Sequence, residues 1–162
     1  DKAGQGFKRF TYIKRILGIL LVGAGVVYLL LSLQEKKEVH WNSYTPINLV
    51  QAVLEDKPAI IDFYAEWCIP CVELDKKIFQ NPEIVRLSKQ FAMLRLDLTR
   101  RHPSQEKIMR QFEIRGVPTI IFLNSSGIEI RELRIVQMVD KEEFLNRMKR
   151  LLEMSEKSIL PE

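Results

Sequence analysis

The chain has 162 residues, of which 46% are hydrophobic and 28% are charged, and its formal net charge is +4 at pH 7. This length allows one domain of ordinary size and an additional segment, and two cysteines are too few for a disulfide-stabilised secreted scaffold. Residues 1–37 hold seven of the basic and two of the acidic residues, so the positive charge belongs to the N-terminal segment. No basic stripe indicates a nucleic-acid partner.

An uncharged apolar run extends from Ile16 to Leu33. As a helix it would span about 27 Å, close to the roughly 30 Å of a bilayer core. The run is longer than the apolar part of a signal peptide, and no small-residue cleavage pattern follows it. Since basic residues dominate positions 1–15, the positive-inside rule places that segment in the cytoplasm. We therefore predict a cytoplasmic segment 1–15, a transmembrane helix 16–33 in contact with membrane lipid, and an extracytoplasmic remainder.

A polar linker and a helix are predicted after the apolar run. The linker covers residues 34–46, and its last part, His40 to Tyr44, is predicted to form an edge strand. Thr45-Pro46 begins a helix, because proline is favoured at the first helical position. Four apolar residues of this helix fall on one side and are expected to face the core: Ile47, Val50, Val53 and Leu54.

Four further strands and four further helices are predicted along the rest of the chain. Short apolar runs predict strands at Ala59–Tyr64, Phe91–Leu98, Thr119–Leu123 and Ile128–Val136, the last with a bulge where its alternation slips. Helices are predicted after Cys68, after Asn81, from Ser104 and from Asp140. The main domain is expected over residues 47–154, followed by a tail at 155–162.

The two cysteines stand close together in Trp67-Cys68-Ile69-Pro70-Cys71. A predicted strand precedes them and a predicted helix follows, so Cys68 lies at a helix N-terminus. There the unpaired N–H groups and the helix dipole favour a thiolate. Pro70 is tolerated in the first turn of a helix. Thiol–disulfide exchange at such a pair makes Cys68 the attacking sulfur and Cys71 the resolving sulfur.

Other uses of a cysteine pair remain open at this point. Free cysteines are often buried and inert. A zinc site would need two further ligands, whereas His40 and His102 are isolated and distant in the sequence. A non-catalytic binding module could hold Cu(I) on the two thiols. We predict no metal and no cofactor apart from a redox-active Cys68–Cys71 disulfide.

The order of elements and two motifs resemble the thioredoxin family over residues 38–153. The stretch Asp62 to Cys68 is similar to the active-site strand and turn of the family, and Gly116-Val117-Pro118-Thr119 is similar to its cis-proline segment. The resemblance implies an α/β fold in which helices flank a central mixed β-sheet. It also implies that Asp62 is buried and moves the proton of the resolving thiol, and that the backbone of Val117 pairs with an extended substrate. The implied substrate-binding residues are Trp67, Ile69, Pro70, Val117 and Pro118.

A closer resemblance lies in Phe79-Gln80-Asn81-Pro82-Glu83-Ile84-Val85, after the cysteine helix, where a Phe is followed by Asn-Pro and a second short helix. This segment is similar to the C-terminal periplasmic domains of DsbD-type thiol:disulfide interchange proteins. The resemblance implies an inner-membrane protein whose periplasmic domain reduces disulfide-bonded proteins or partner redox domains and is re-reduced by a membrane electron donor. A cytochrome c maturation thiol reductase, which would differ in its substrate, is the alternative within the same chemistry.

Overall fold

The computed structural model describes residues 17–28, 38–100 and 102–157. Residues 17–28 are helical (α1), and the other positions of the predicted transmembrane helix 16–33 lie outside the described residues, as does the basic segment 1–15. Within the described ranges, no helix is both long and apolar enough to cross a membrane. The chain divides into two compact units, Asp1–Lys36 and Lys37–Glu162.

A four-stranded mixed β-sheet forms the centre of the second unit. Its strands are β1 Asn42–Ser43, β2 Ala59–Tyr64, β3 Ala92–Asp97 and β4 Thr119–Leu123, and they lie in the order β1-β3-β2-β4. Strand β3 runs parallel to β1 and β2, and β4 runs antiparallel to β2. Because β2 lies inside the sheet, nearly all its side chains are buried, which explains its continuous apolar run.

Five helices and a short 3-10 helix connect or cover these strands in the described part of this unit. They are α2 Pro46–Leu54, α3 Ile69–Lys77, α4 Pro82–Ser88, α5 Pro103–Gln111, the 3-10 helix Arg131–Leu133, and α6 Lys141–Lys157. The side chain of His102, rather than that of Ser104, caps α5. Helix α6 continues past residue 154, at which the predicted domain ends, and residues 158–162 of the predicted tail lie outside the described residues.

Two hydrophobic clusters occupy the two faces of the sheet, as the alternation of strand side chains requires. The first contains Ile60, Met93 and Ile120 with apolar residues of α3, α4 and α6. The second contains Ile61, Phe63, Leu94 and Ile121 with residues of α2 and α5, and it includes both cysteines. The cysteine pair therefore lies at the edge of a packed core.

The prediction of a continuous strand over Ile128–Val136 is wrong. Only two isolated bridges join this segment to β4, one from Ile135 to Ile120 and one from Glu129 to Leu123. Between them the chain turns through the 3-10 helix, which buries Leu133 completely. The slip in alternation is thus produced by a helical turn and not by a bulge.

The predicted inward face of α2 is also wrong. Ile47, Val50 and Leu54 are exposed, whereas Ala52 is buried and Val53 is half-buried. Both possible faces of this helix are apolar, so periodicity alone could not choose between them. The turn at Gly127 packs against Val53, since a Cβ placed on that glycine would lie 2.9 Å from Val53 Cγ2.

Candidate functional site

Cys68 and Cys71 form a disulfide directly after β2, at the first turn of α3. Cys68 is the N-cap residue of α3, as the sequence predicts, and its Sγ accepts a hydrogen bond of 3.2 Å from the backbone N–H of Cys71. Both residues are buried, with 5% of Cys68 and 2% of Cys71 exposed. When the disulfide is reduced, the same N–H group and the helix dipole would favour the thiolate form of Cys68.

The surface next to the disulfide is apolar and faces solvent. Trp67 is 63% exposed and Ile69 is 74% exposed, and Pro70 beside them is exposed as well. Both large side chains are adjacent in sequence to Cys68. Clustered exposed apolar side chains of this kind are typical of surfaces that contact another protein.

A groove of about 580 Å³ adjoins this surface. Its apolar lining is formed by Trp67, Leu98, Met109, Ile114 and Val117, and charged or polar side chains of α5 and the following loop form its rim. The Val117–Pro118 peptide bond is cis, as the family resemblance implies, and Pro118 is buried. The structure therefore brings Trp67 and Val117, two of the predicted substrate-binding residues, to one groove.

A buried charged cluster lies on the other face of the sheet. Asp62, in the middle of β2, is 2% exposed, so the prediction that it is buried is confirmed. Arg95 Nε on β3 donates a hydrogen bond of 2.8 Å to Asp62 Oδ2. The same guanidinium donates to Asp75 on α3, from Nη2 to Oδ1 at 2.5 Å and from Nη1 to Oδ2 at 3.3 Å.

Burial determines the protonation of Asp62. It raises the pKa of Asp62 to about 7, and the negative charge of Asp75 adds to the rise while Arg95 opposes it. For Arg95, burial lowers the pKa, but the two carboxylates outweigh burial and hold it above its usual value. Near neutral pH, Asp62 is consequently poised between its acid form and its base form.

Aromatic rings hold the guanidinium of Arg95 in place. Its Cζ lies 4.7 Å from the ring centroid of Trp41 and 4.5 Å from that of Tyr64. Contacts at these distances are favourable cation–π interactions. Together with the hydrogen bonds, they confine Arg95 to one position between β2 and α3.

Sequence reasoning missed Arg95 and Asp75. The available signal was the basic residue in the middle of the apolar strand at 91–98, since a charge inside a sheet needs a partner. In the observed register Arg95 is paired directly with Asp62.

In the described part of the chain no hydrogen bond joins Asp62 to Cys68 or Cys71. No group of three or more His, Cys, Asp or Glu side chains there could hold a metal ion.

The disulfide at a helix N-terminus after an interior strand, with a cis-proline beside the adjacent groove, defines a dithiol site of the thioredoxin fold. A family model described as thioredoxin-like matches residues 40–125, and the chain belongs to this family. The thiol:disulfide interchange protein DsbD of Yersinia pestis is 30% identical over 115 residues, which cover 69% of this chain and 19% of that protein. DsbD of Haemophilus influenzae is 31% identical over 94 residues, covering 58% of this chain and 16% of that protein.

The chain thus spans less than a fifth of the length of these curated relatives. Among solved structures, the C-terminal domain of Neisseria meningitidis DsbD in the reduced form matches with a TM-score of 0.58 and 24% identity, covering 64% of this chain and 90% of that one. A thioredoxin from Thermus thermophilus matches with a TM-score of 0.62 and 20% identity, covering 73% and 90%. These likenesses establish the thioredoxin-like α/β fold.

Proposed function

We propose that this chain is a membrane-anchored, extracytoplasmic thiol–disulfide oxidoreductase that reduces disulfides in partner proteins through Cys68 and Cys71. The observation that carries the proposal is the position of Cys68. Its sulfur accepts an N–H at the start of α3, and its sequence neighbours form an exposed apolar surface, of which Trp67 also lines the adjoining groove. The similarity to proteins named for thiol:disulfide interchange supports the same chemistry.

The reaction begins with the reduced pair. The Cys68 thiolate attacks one sulfur of the partner's disulfide, a Cys68–partner disulfide forms, and the other partner sulfur leaves as a thiolate. Cys71 then loses its proton to the Asp62 carboxylate and attacks Cys68 Sγ. The Cys68–Cys71 bond forms, the bond to the partner breaks, and the second partner sulfur leaves as a thiolate that solvent protonates. Two electrons have passed from the dithiol to the partner.

The proposed location rests on the apolar run 16–33 and the basic residues that precede it. In this arrangement the domain faces the periplasm, and the inner membrane separates it from cytosolic reductants. A membrane protein carrying a reactive dithiol must then return two electrons to the Cys68–Cys71 disulfide after each cycle. Labelling of the reduced cysteines in intact spheroplasts by a membrane-impermeant maleimide tests this topology, and protection from the label would contradict it.

The activity is tested by insulin reduction with dithiothreitol as the electron source, using the full chain in detergent. We expect the chain to accelerate the reaction and Cys68→Ala to abolish the acceleration. Ile128→Ser changes an exposed apolar residue at the opposite end of β4 and should react like the wild type. A wild-type chain with no turnover and no cysteine-dependent redox titration would contradict the proposal and indicate a binding module.

The direction of the reaction is tested by equilibration with glutathione. A reductase needs a low reduction potential, whereas strongly oxidising members of this fold lie near about −120 mV. We expect a value below roughly −180 mV, the region of isomerases and reductases. A potential near that of the oxidising members would assign the opposite direction.

A further inference from the structure

The guanidinium of Arg95 donates hydrogen bonds to two carboxylates, Asp62 on β2 and Asp75 on α3. We propose that Arg95 is a positioning residue for the resolving step: it holds Asp62 and Asp75 as one unit and sets the pH at which Cys71 gives up its proton. This inference rests on the proposed function, because it concerns the second half of the same thiol exchange. Nothing in the spacing of the cysteines requires such a residue, and it emerges only from the contacts between β2, β3 and α3.

The geometry leaves Arg95 little freedom. Its Nε is engaged by Asp62 and both terminal nitrogens by Asp75, while Trp41 and Tyr64 contact the guanidinium. A lysine could supply the charge but not the planar arrangement of three donors. The positive charge is therefore held at a fixed distance from Asp62.

The cluster connects the cysteine helix to the buried carboxylate. Asp75 follows Cys71 by four residues on α3, so the two side chains lie on the same side of the helix, one turn apart. Side-chain exposure rises from 3% for Asp62 to 18% for Arg95 and 28% for Asp75. Arg95 thus links the buried carboxylate to a side chain on the cysteine helix one turn beyond Cys71, and the cluster reaches solvent at Asp75.

The charges that face Asp62 have opposing effects. Burial and Asp75 favour its protonated form, whereas Arg95 favours the carboxylate that the resolving step requires. The phenol of Tyr64, on the same strand, faces this cluster too. Without Arg95, Asp62 would keep its proton at neutral pH and could not accept the one from Cys71.

The test separates the two thiol steps by reacting the reduced full chain with the disulfide reagent DTNB in a stopped-flow instrument. Attack by Cys68 releases the first TNB thiolate, and attack by Cys71 on the mixed disulfide releases the second. We expect the second phase of the wild type to rise with pH around an inflection near 7. Arg95→Gln should move this inflection upward by about 1–3 pH units, the usual effect of losing an opposite charge at this distance.

The two phases should respond differently. At pH 7, the second phase of Arg95→Gln should slow by roughly fivefold or more, which is the loss of ionised Asp62 for a shift of about one unit. Its first phase should change less than about twofold on the same reasoning. Arg95→Lys keeps the charge and should restore the inflection towards 7, although both variants lose thermal stability. Arg150→Gln, at an exposed ion pair with Glu132, is the matched control and should leave the profile unchanged.

Asp75→Asn provides a second test with the opposite sign. It removes the negative charge that favours protonation of Asp62, so the inflection should move downward. If Arg95→Gln or Asp75→Asn lowers stability but leaves the inflection at the wild-type pH, Arg95 only clamps β3 to α3 and the inference is overturned. A wild-type chain that releases a single TNB thiolate contradicts the proposed function itself, which distinguishes the two failures.

Discussion

Two regions near the disulfide reverse the usual distribution of side chains in a folded protein. The surface beside Cys68 exposes Trp67 and Ile69, whereas the interior of the sheet holds Asp62 and Arg95. Covering exposed apolar surface with a partner protein is favourable, because it removes that surface from water. A buried carboxylate has a displaced pKa and is useful for moving protons. The site therefore has two parts: an exposed apolar surface that contacts the partner, and a buried charged cluster that takes part in proton transfer.

Breaking the buried cluster should have the largest effect. Arg95→Met leaves Asp62 without its opposite charge and should lower the free energy of unfolding by about 3–5 kcal/mol at pH 8. At pH 5 the loss should be smaller, because Asp62 is then protonated in the folded protein. Urea unfolding at the two pH values measures the difference. The control Arg150→Met, at an exposed ion pair, should lower the free energy of unfolding by no more than about 1 kcal/mol. If Arg95→Met lowers it equally at both pH values, Asp62 is not a buried charge.

Neutralising Asp62 should raise the free energy of unfolding, by less than the amount that Arg95→Met lowers it. The pKa of Asp62 in the folded protein is raised from 3.8 to about 7. The folded protein therefore binds this proton more tightly than the unfolded chain, and stability falls as the pH rises from about 4 to about 7. Asp62→Asn removes this fall, so its advantage over the wild type should grow by about 2–3 kcal/mol between pH 5 and pH 8. If the difference in free energy of unfolding between Asp62→Asn and the wild type does not change with pH, the pKa of Asp62 in the folded protein is not raised.

Changing the exposed surface should affect binding and leave stability nearly unchanged. Trp67→Ala and Ile69→Ala should each raise KM for insulin by up to about tenfold, or about 1.4 kcal/mol, because each removes an apolar contact with the partner. The free energy of unfolding should change by less than about 0.5 kcal/mol. Steady-state insulin reduction measures KM, and Ile128→Ala is the matched exposed control. Equal effects of Ile69→Ala and Ile128→Ala would show that the surface beside Cys68 has no special role in docking.

The features that the sequence predicts well are contiguous. The strand at 59–64 and the capped start of α3 follow from neighbouring residues in one stretch of chain, and the family resemblance adds the buried position of Asp62. The predicted cap Ser104 lies two residues past the true cap, His102, whose ring nitrogen accepts from the backbone N–H of Ser104. Local patterns are sufficient where local hydrogen bonds and burial decide the structure.

The features that the sequence does not predict depend on contacts between distant segments. Arg95 meets Asp62 only in the register of β2 and β3, and Asp75 joins them only when α3 packs on that face. The contact of Val53 in α2 with the turn at Gly127 likewise joins residues far apart in the sequence. The membrane helix 16–33 stays a prediction.

The proposed mechanism requires that the sulfur of Cys68 attacks the partner and that the sulfur of Cys71 resolves the mixed disulfide. The decisive measurement is trapping of a mixed disulfide when reduced Cys71→Ala, as the full chain in detergent, is incubated with native, disulfide-bonded insulin and the products are separated on a non-reducing gel. We predict a covalent adduct on Cys68 that dithiothreitol removes, and no adduct with Cys68→Ala. Adducts of equal yield from both variants, or none from Cys71→Ala, would contradict the account.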